Sequence, residues 1–345
     1  MSDPAVSRDD LLADIGSAPA PELEAVLIAA RFLPFRPLER VALLRHAPTA
    51  QELFAMDHYA VERCIGRPLR KTAWDPKRLY RETEIDRRWL SMPDRRVWWI
   101  GDGDYPQHLR GIWDPPAVLF GWGDPRGLRY RGVAVVGTRE PDDAGRAAAY
   151  GLGIDLGSQG VVVVSGLARG IDVAAHRGAI VTETPATAVL GSGVDAVFPR
   201  ENRSLAADLL DAGGIVVSEY PPGTPAHRMR FPARNRIVVG LSAGVVVVQA
   251  PERSGALISA DYGLQNGLEV MVHRAGALWT GCRRLIAEGA ATIETARDVL
   301  ALVAPEQIGS AQTGAAGGAD DIEAVYREAN ARKLALFDPD PEVTR

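Results

Sequence analysis

The stretch VVVVSGLARGIDVAAH, residues 161–176, decides how the chain is expected to fold. Four consecutive valines without polar alternation are typical of a strand buried on both faces, as in a parallel sheet covered by helices. Ser165 and Gly166 end this strand, and apolar residues recur at helical spacing from Asp172 to His176. The tight loop between them lies at the carboxyl end of a strand, where open α/β sheets bind their ligands.

The same loop is a candidate anion site. The amino terminus of the following helix offers free N–H groups and a partial positive charge, and Arg169 adds a full charge. A loop whose arginine pairs with a neighbouring aspartate explains these residues equally well, and the loop alone does not decide between the two interpretations. We interpret His176 as a structural residue rather than a base.

Strand-like segments recur along the chain and alternate with helical segments. This alternation predicts an α/β fold, a doubly wound parallel sheet with right-handed crossovers. Two earlier segments, residues 97–100 and 117–120, are expected to extend that sheet. The other predicted strands are residues 133–136, 161–164, 187–190, 215–218, 245–249 and 270–273.

The two ends of the chain differ from this central part. Residues 1–90 carry apolar side chains at three- and four-residue steps and predict a small N-terminal helical domain. The sheet is assigned to a second domain, residues 91–304. Residues 305–345 are predicted to be a flexible linker and a short tail, since residues 309–319 are rich in Gly and Ala and the rest cannot form a core.

Composition excludes several classes of protein. The net charge of −5 argues against a protein that coats nucleic acid over its whole surface, but a local basic groove remains compatible with it. No apolar run approaches the roughly 18 residues that cross a bilayer, and the start lacks the order of a secretory signal. With Cys64 and Cys282 alone, neither a disulfide framework nor a four-thiolate zinc site is possible. We expect a protein of the reduced cytoplasm, without a membrane contact.

Four predicted strands end in small residues that lead into charged loops. Parallel strands place such loops on one edge of the sheet, and glycine there lets backbone N–H groups approach a ligand. Arg139, Arg169 and Arg200 would bring positive charge to this edge, so we predict an anion-binding surface, called here the strand-end rim. Its loops are residues 137–139, 165–170, 191–193 and 253–255.

A second basic feature is AHRMRFPARNRI, residues 226–237, which contains four arginines, Phe231 and no acidic residue. Arginines interleaved with an aromatic ring suit single-stranded nucleic acid, because arginine meets phosphates and the ring can stack on a base. A surface loop whose arginines pair with acidic residues elsewhere is the alternative, and the neighbouring rim favours nucleic acid. The four arginines are Arg228, Arg230, Arg234 and Arg236.

Other chemistries lack support in the sequence. Residues 191–196 formally match the dinucleotide fingerprint G-x-G-x-x-A, but Phe198 and Pro199 interrupt the helix that should follow, so we consider the match accidental. The six histidines show no metal-ligand spacing, and neither a nucleotide P-loop nor a G-x-S-x-G nucleophile elbow is present. We therefore predict no catalytic residue, no cofactor and no metal.

Taken together and in order, the motifs resemble the DNA-processing protein A (DprA, or Smf) family over residues 95–290. The resemblance implies an extended Rossmann-like domain that binds single-stranded DNA, works as a homodimer and delivers the strand to the RecA recombinase in natural transformation. It implies no catalysis. The motifs are VAVVGTREP, VVVVSGLARGIDVAAHRGA, AVLGSGVDAVFPRENR, SEYPPGTP, FPARNRIVVGLS and ERSGALISA, with the lead-in YPQHLRGIWDPPAVLFGWG.

The resemblance also assigns the flanking segments. Residues 1–90 take the place of the family's N-terminal, SAM-like helical module. The tail is too short for the winged-helix domain in which many members end, so no complete winged helix is expected. Residues 272–276 replace the family's usual proline-glycine turn, which leaves the geometry of that rim loop open.

The predicted DNA-binding residues follow from matching the family's motifs to the rim loops and to the FPARNR segment. Thr138 stands where the family has serine. The five arginines of the set are expected to form one basic pocket that clamps phosphates, with low sequence specificity and weaker binding of duplex DNA. The set is Gly137, Thr138, Arg139, Ser165, Gly166, Arg169, Gly191, Ser192, Arg200, Asn202, Phe231, Arg234, Asn235, Arg236, Ser254 and Gly255.

Two other functions stay open. Rossmann-like nucleotide phosphoribohydrolases of the lysine-decarboxylase-like group share this layout and carry the signature PGGxGTxxE. Residues 250–260 read APERSGALISA, without the glycine pair and without the catalytic glutamate. The other alternative is an adaptor that binds the recombinase through a surface of its own and whose rim no longer binds DNA.

Overall fold

The computed structural model describes residues 8–13, 15–16, 19–69 and 74–303, so the predicted linker and tail lie outside the described residues. Helices fill the described chain up to residue 90, in line with the predicted helical N-terminal part. They are α1 (Arg8–Ala13), α2 (Leu23–Arg31), α3 (Pro37–His46), α4 (Ala50–Ala55), α5 (His58–Ile65), α6 (Pro76–Glu82) and α7 (Glu84–Leu90).

Side-chain caps and buried apolar faces explain these short helices. The Thr49 hydroxyl accepts the backbone N–H of Glu52, and the Glu52 carboxylate accepts the N–H of Thr49, a reciprocal capping box at the start of α4. Short helices are marginal in isolation, and here they share one core through fully buried residues such as Leu27 and Leu43.

Beyond residue 90 the chain forms one 9-stranded sheet. Its strands are β1 (Arg95–Trp99), β2 (Val118–Gly123), β3 (Gly132–Val136), β4 (Val163–Ser165), β5 (Thr187–Val189), β6 (Ile215–Ser218), β7 (Ser242–Val247), β8 (Glu269–His273) and β9 (Ala291–Ile293). The accompanying helices are α8 (Gln107–Arg110), α9 (Asp143–Ser158), α10 (Ile171–Val181), α11 (Arg203–Asp211), α12 (Arg230–Gly240), α13 (Gly255–Gln265), α14 (Thr280–Ala287) and α15 (Ala296–Leu302).

The strand order β1-β2-β6-β5-β4-β3-β7-β8-β9 confirms the predicted α/β fold. Strands β3 to β9 are parallel, whereas β2 pairs antiparallel with β6 and β1 antiparallel with β2. The sheet is therefore parallel with an antiparallel extension at one edge. Strand β9 is a further parallel edge strand that the sequence analysis did not predict.

Residues 161–164 are fully buried, as expected for a strand covered on both faces. From β3 to β6 the chain moves across the sheet in one direction, with α9, α10 and α11 in the crossovers, and from β6 through α12 to β7 and β8 it returns and continues in the other. Right-handed crossovers in opposite directions place their helices on opposite faces. Helices therefore cover both sides of the valine-rich strands.

The strand order reverses between β3 and β7, the switch point at which ligands bind in such sheets. There the backbone N–H of Thr138, just past β3, donates to the carbonyl oxygen of Gln249, just past β7, at 2.7 Å. The carboxyl ends of the parallel strands thus form a continuous edge. Within the described chain, no helix is long and apolar enough to span a membrane.

Candidate nucleic-acid interface

The loops that follow β3 and β4 pack against each other at the rim. The N–H of Ile171 donates to the carbonyl oxygen of Thr138 at 3.2 Å. The buried carboxylate of Asp172 accepts the N–H groups of Gly166, at 3.1 Å, and Ala168, at 3.3 Å. Burial raises the pKa of Asp172, and the charge of Arg234 and these hydrogen bonds oppose the rise. The carboxylate therefore shapes the loop from inside.

Arg234 lies beneath the rim rather than on it. Its guanidinium group is buried and donates to the carbonyl oxygens of Gly166, at 2.8 Å, and of Val189. A Cβ atom at position 166 would collide with this guanidinium, so the close approach requires glycine. Desolvation lowers the pKa of Arg234, and the charge of Asp172 opposes that effect. Arg234 joins the ends of β4 and β5.

Arg236 corrects the expectation that five arginines converge in one pocket. Its side chain is 6% exposed and donates to both carboxylate oxygens of Glu219, at 2.8 and 2.7 Å, and to Asp114 at 3.0 Å. Residues 230–237 belong to α12 rather than to a loop, and residues two apart in a helix point about 200° apart. Arg234 and Arg236 therefore face different surroundings, and Arg236 lines a cleft of about 1070 Å³ between the N-terminal helices on one side and α12, α13 and residues 112–114 on the other.

The exposed part of the rim is a cluster of one cation and two aromatic rings. The guanidinium carbon of Arg139 lies 5.6 Å from the ring centroid of Phe231, within the range of a cation–π contact. The ring of Phe231 packs over Gly191, and its centroid is 5.5 Å from that of Phe198. We call Arg139, Phe198 and Phe231 the aromatic cluster.

Arg169 is exposed on the rim but already has a partner. Its side chain is 61% exposed and forms a bidentate ion pair with Glu201, in which Nη2 donates at 2.8 Å. The neighbouring Asn202 is buried and donates its side-chain amide to the carbonyl oxygen of Leu167, also at 2.8 Å. The loops after β4 and β5 are therefore linked by one surface ion pair and one buried hydrogen bond.

Most of the remaining predicted residues support the rim from within. Buried Ser165 donates to the carbonyl oxygen of Val135 at 2.7 Å, and buried Ser192 to that of Ala196 at 2.6 Å. Asn235 donates to the carbonyl oxygen of Gly255, and Ser254 caps α13. These contacts hold α12 and the strand ends in place and leave few donors of these side chains for a ligand.

Exposed arginines without an acidic partner bring positive charge to this region. Arg139, Arg200 and Arg228 are exposed and form no ion pair with any residue that the structure describes. Arg228 precedes α12, and Arg200 follows Phe198 by two residues. The structure thus brings Arg139, Arg169, Arg200 and Phe231 to the surface of the rim and places Arg234 below it.

Residues 191–196, which match the dinucleotide fingerprint, are not followed directly by the helix that such a site requires. After β5 the chain turns through residues 191–199, and the next α-helix, α11, begins at Arg203.

Burial lowers the pKa of His176 to about 3, and the charge of Arg234 acts in the same direction, so this imidazole is neutral inside the protein. Among the described residues no cluster of three His, Cys, Asp or Glu side chains could hold a metal ion.

Sequence reasoning missed three residues of this region. Phe198 is 46% exposed and belongs to the aromatic cluster, although the predicted DNA-binding set does not include it. Glu201 and Glu219 neutralise two of the predicted arginines. Glu201 directly follows Arg200 in the sequence, which is a weak signal, whereas nothing in the sequence pairs Glu219 with Arg236.

Residues 96–304 match the family model of DNA recombination-mediator protein A. DNA processing protein DprA of Bacillus subtilis (strain 168) is 41% identical over 205 residues, which are 58% of this chain and 68% of that protein. The X-ray structure of DNA processing protein A from Streptococcus pneumoniae has a TM-score of 0.66 at 30% identity and covers 82% of this chain and 99% of its own. A Helicobacter pylori DNA processing protein A structure, which describes a single-stranded DNA binding mode, has a TM-score of 0.54 at 26% identity over 59% of this chain and 93% of its own.

Proposed function

Because the chain belongs to the DNA recombination-mediator protein A family, we propose that it binds single-stranded DNA across the strand-end rim and delivers the strand to a RecA recombinase. The observation that carries the proposal is the contact of the free guanidinium of Arg139 with the half-buried ring of Phe231. A cation beside an aromatic face matches the phosphate and the base of one nucleotide. The Helicobacter pylori relative, for which single-stranded DNA binding is described, supports the same ligand.

The contacts of the arginines support a smaller proposed set of phosphate-binding residues. Phosphates are proposed to meet Arg139, Arg200 and Arg228, which lack acidic partners among the described residues, and Arg169 once Glu201 releases it. Arg234 and Arg236 are proposed to act as framework. Because phosphates carry no base information, binding should depend little on sequence. Duplex DNA should bind less well, since paired bases hide their faces from Phe231.

Substitution of Arg139 tests this proposal. Arg139→Gln should weaken binding of a labelled oligo(dT) severalfold and lower the slope of log K against log salt by about 0.7, the share of one phosphate contact on a single strand. Fluorescence anisotropy at a series of salt concentrations measures both quantities. Arg96→Gln, at an exposed arginine on edge strand β1, is the matched control. Equal affinity and equal salt slope for parent and Arg139→Gln would contradict the proposed interface.

Delivery to the recombinase and dimer formation are separate parts of the proposal. Two rims in a homodimer would hold one strand at high effective concentration, which raises its residence time without any new contact. Sedimentation equilibrium of the full chain measures the oligomeric state. Delivery is measured as the rate at which RecA assembles on a strand already covered by a single-strand-binding protein, with and without this protein. If this protein does not accelerate the assembly, the proposed delivery to RecA is wrong.

We also propose that the protein binds DNA without chemical conversion. The sequence lacks the phosphoribohydrolase signature between residues 250 and 260, and none of the relatives described above carries that name. Incubation with nucleoside monophosphates followed by chromatography for free base tests the alternative. Release of base that depends on protein concentration would favour the enzyme.

A further inference from the structure

Phe198 is an exposed aromatic residue for which the core of the protein gives no reason. Its ring is 46% exposed, whereas its neighbour Val197 is buried at 6%. The exposed ring lies beside Phe231, with centroids 5.5 Å apart and planes tilted by 36°. An apolar ring left in water at a site that also carries free cations marks a surface for a ligand with an apolar face.

The spacing of the two rings limits how a base can bind. A base inserted between them would need a centroid separation of about 7 Å, twice the ~3.4 Å rise of stacked bases. The observed 5.5 Å is too short, and the rings already contact each other. A base can therefore add to the outer face of Phe198 and continue the stack, with Phe231 behind it.

The charges around this ring suit the backbone of the same strand. Arg139 contacts Phe231, the partner ring of Phe198, and exposed Arg200 follows Phe198 by two residues. Neither arginine has an ion-pair partner in the part of the chain that the structure describes. One unpaired cation therefore contacts the ring behind Phe198 and another follows Phe198 in the chain, which suits a strand whose base stacks on Phe198.

We propose that Phe198 is a base-binding residue: an unpaired nucleobase of the bound strand stacks on its exposed face, while the adjacent phosphates contact Arg139 and Arg200. This inference rests on the proposed binding of single-stranded DNA and adds a contact to the base itself. The protein should then bind a strand with bases more tightly than a strand of phosphates and sugars alone. Every base offers an aromatic face, so the contact adds affinity without sequence preference.

The test compares a normal strand with a strand that has no bases. Phe198→Ala should weaken binding of oligo(dT) about tenfold, the scale of one lost base–aromatic stack, and should leave binding of an abasic strand of equal length unchanged. Phe198→Leu, which keeps apolar bulk but lacks the aromatic face, should behave like Phe198→Ala, and Phe198→Tyr like the parent. Tyr130→Ala is the matched control, since Tyr130 is 43% exposed and precedes β3, at the strand end opposite to the rim.

A spectroscopic readout separates stacking from a structural role. 2-Aminopurine in the strand should be quenched by the parent and less quenched by Phe198→Leu at saturating protein. If Phe198→Ala binds oligo(dT) as tightly as the parent, or weakens the abasic strand by the same factor, the inference is wrong. Should Arg139→Gln weaken binding while Phe198→Ala does not, only the base contact fails. If the parent protein binds no single-stranded DNA, the proposed function is wrong as well.

Discussion

At the scale of single residues, the partner of an arginine decides its role. Arg234 and Arg236 belong to one motif and have the same chemistry, yet the first binds carbonyl oxygens under the rim and the second a buried glutamate. The sequence predicted that Arg139 and Phe231 belong to one surface, because their loops meet at the sheet edge. It could not predict which arginines are neutralised, since Glu219 comes from a different strand end.

The exposed pair Arg169–Glu201 gives a prediction of increased binding. Glu201→Gln removes the carboxylate that occupies Arg169, so the guanidinium becomes free for a phosphate. We expect the affinity for oligo(dT) to rise severalfold and the salt slope to steepen by about 0.7. Anisotropy titrations measure this. Glu183→Gln, which removes an equal charge from an exposed turn before β5, should change neither value, and an unchanged or lowered affinity of Glu201→Gln would exclude Arg169 from the interface.

His176 makes stability depend on pH. Burial lowers its pKa to about 3, whereas the unfolded chain has a histidine pKa of about 6.5. Between these values the unfolded state binds the additional proton, so the free energy of unfolding falls as the pH is lowered, by about 2 kcal/mol at pH 5. In His176→Leu this contribution should disappear.

Urea unfolding at pH 7 and pH 5 measures the effect. The decrease between the two pH values should be smaller in His176→Leu than in the parent by about 2 kcal/mol. His227→Leu, at an exposed histidine before α12, should keep the decrease of the parent. The same decrease in His176→Leu and parent would show that another group causes it.

At the scale of elements, α12 organises the candidate interface. Its first turns carry Phe231, Arg234 and Asn235 at helical spacing, which directs all three toward the strand ends and α13. In the sequence this segment is conspicuous for its arginines and Phe231 rather than for helical periodicity. Its arginine-rich start obscured the apolar residues 237–239 that continue the helix inside the protein.

The different roles of arginines in this region predict different stabilities. Arg236→Gln leaves the buried carboxylate of Glu219 without its partner and should lower the free energy of unfolding by roughly 3–5 kcal/mol. Arg139→Gln, at an exposed side chain, should change it by less than about 0.5 kcal/mol. Urea unfolding with equal m-values measures both. If Arg236→Gln is as stable as the parent but loses DNA binding, Arg236 contacts phosphate after all.

At the scale of the whole molecule, the N-terminal helices are bonded to the sheet close to the rim. Arg31 of α2 forms a bidentate pair with Asp86 of α7, at 2.8 and 2.6 Å, and donates to the carbonyl oxygen of Pro222 at 3.0 Å. Pro222 lies in the segment between β6 and α12. The helical part therefore helps to hold the segment that leads into α12.

Asp86→Asn tests this connection. The amide keeps the size of the carboxylate but leaves the charge of Arg31 unpaired in a largely buried site. We expect faster amide exchange in the segment 221–224, where the N–H groups of Gly223 and Thr224 donate to Asp195 and Pro221. Hydrogen–deuterium exchange with mass spectrometry measures it. The control is Glu84→Gln, at an exposed carboxylate of α7, which should leave the amide exchange of this segment as slow as in the parent. If Asp86→Asn also leaves the exchange unchanged, the connection does not hold the segment.

Much of the global fold followed from the sequence because long valine runs identify strands buried on both faces. The antiparallel direction of β1 and β2 did not follow, since two apolar segments joined by a turn-rich loop fit either direction. Strand β9 has only three residues, which is too few for a local pattern to reveal it. The position and direction of these strands are fixed by pairing with neighbouring strands. The local sequence does not contain that information.

The pairing of β2 with β6 has a consequence for synthesis on the ribosome. Residues 124–214 separate these partners, so the finished hairpin of β1 and β2 must wait for the whole intervening stretch. At roughly 5–20 residues per second, the wait lasts on the order of 5–20 s. Throughout it the nascent chain presents a bare strand edge to its crowded surroundings, and such edges recruit other chains. The speed of translation across this stretch, and the chaperones that meet it, therefore matter to the yield of native protein.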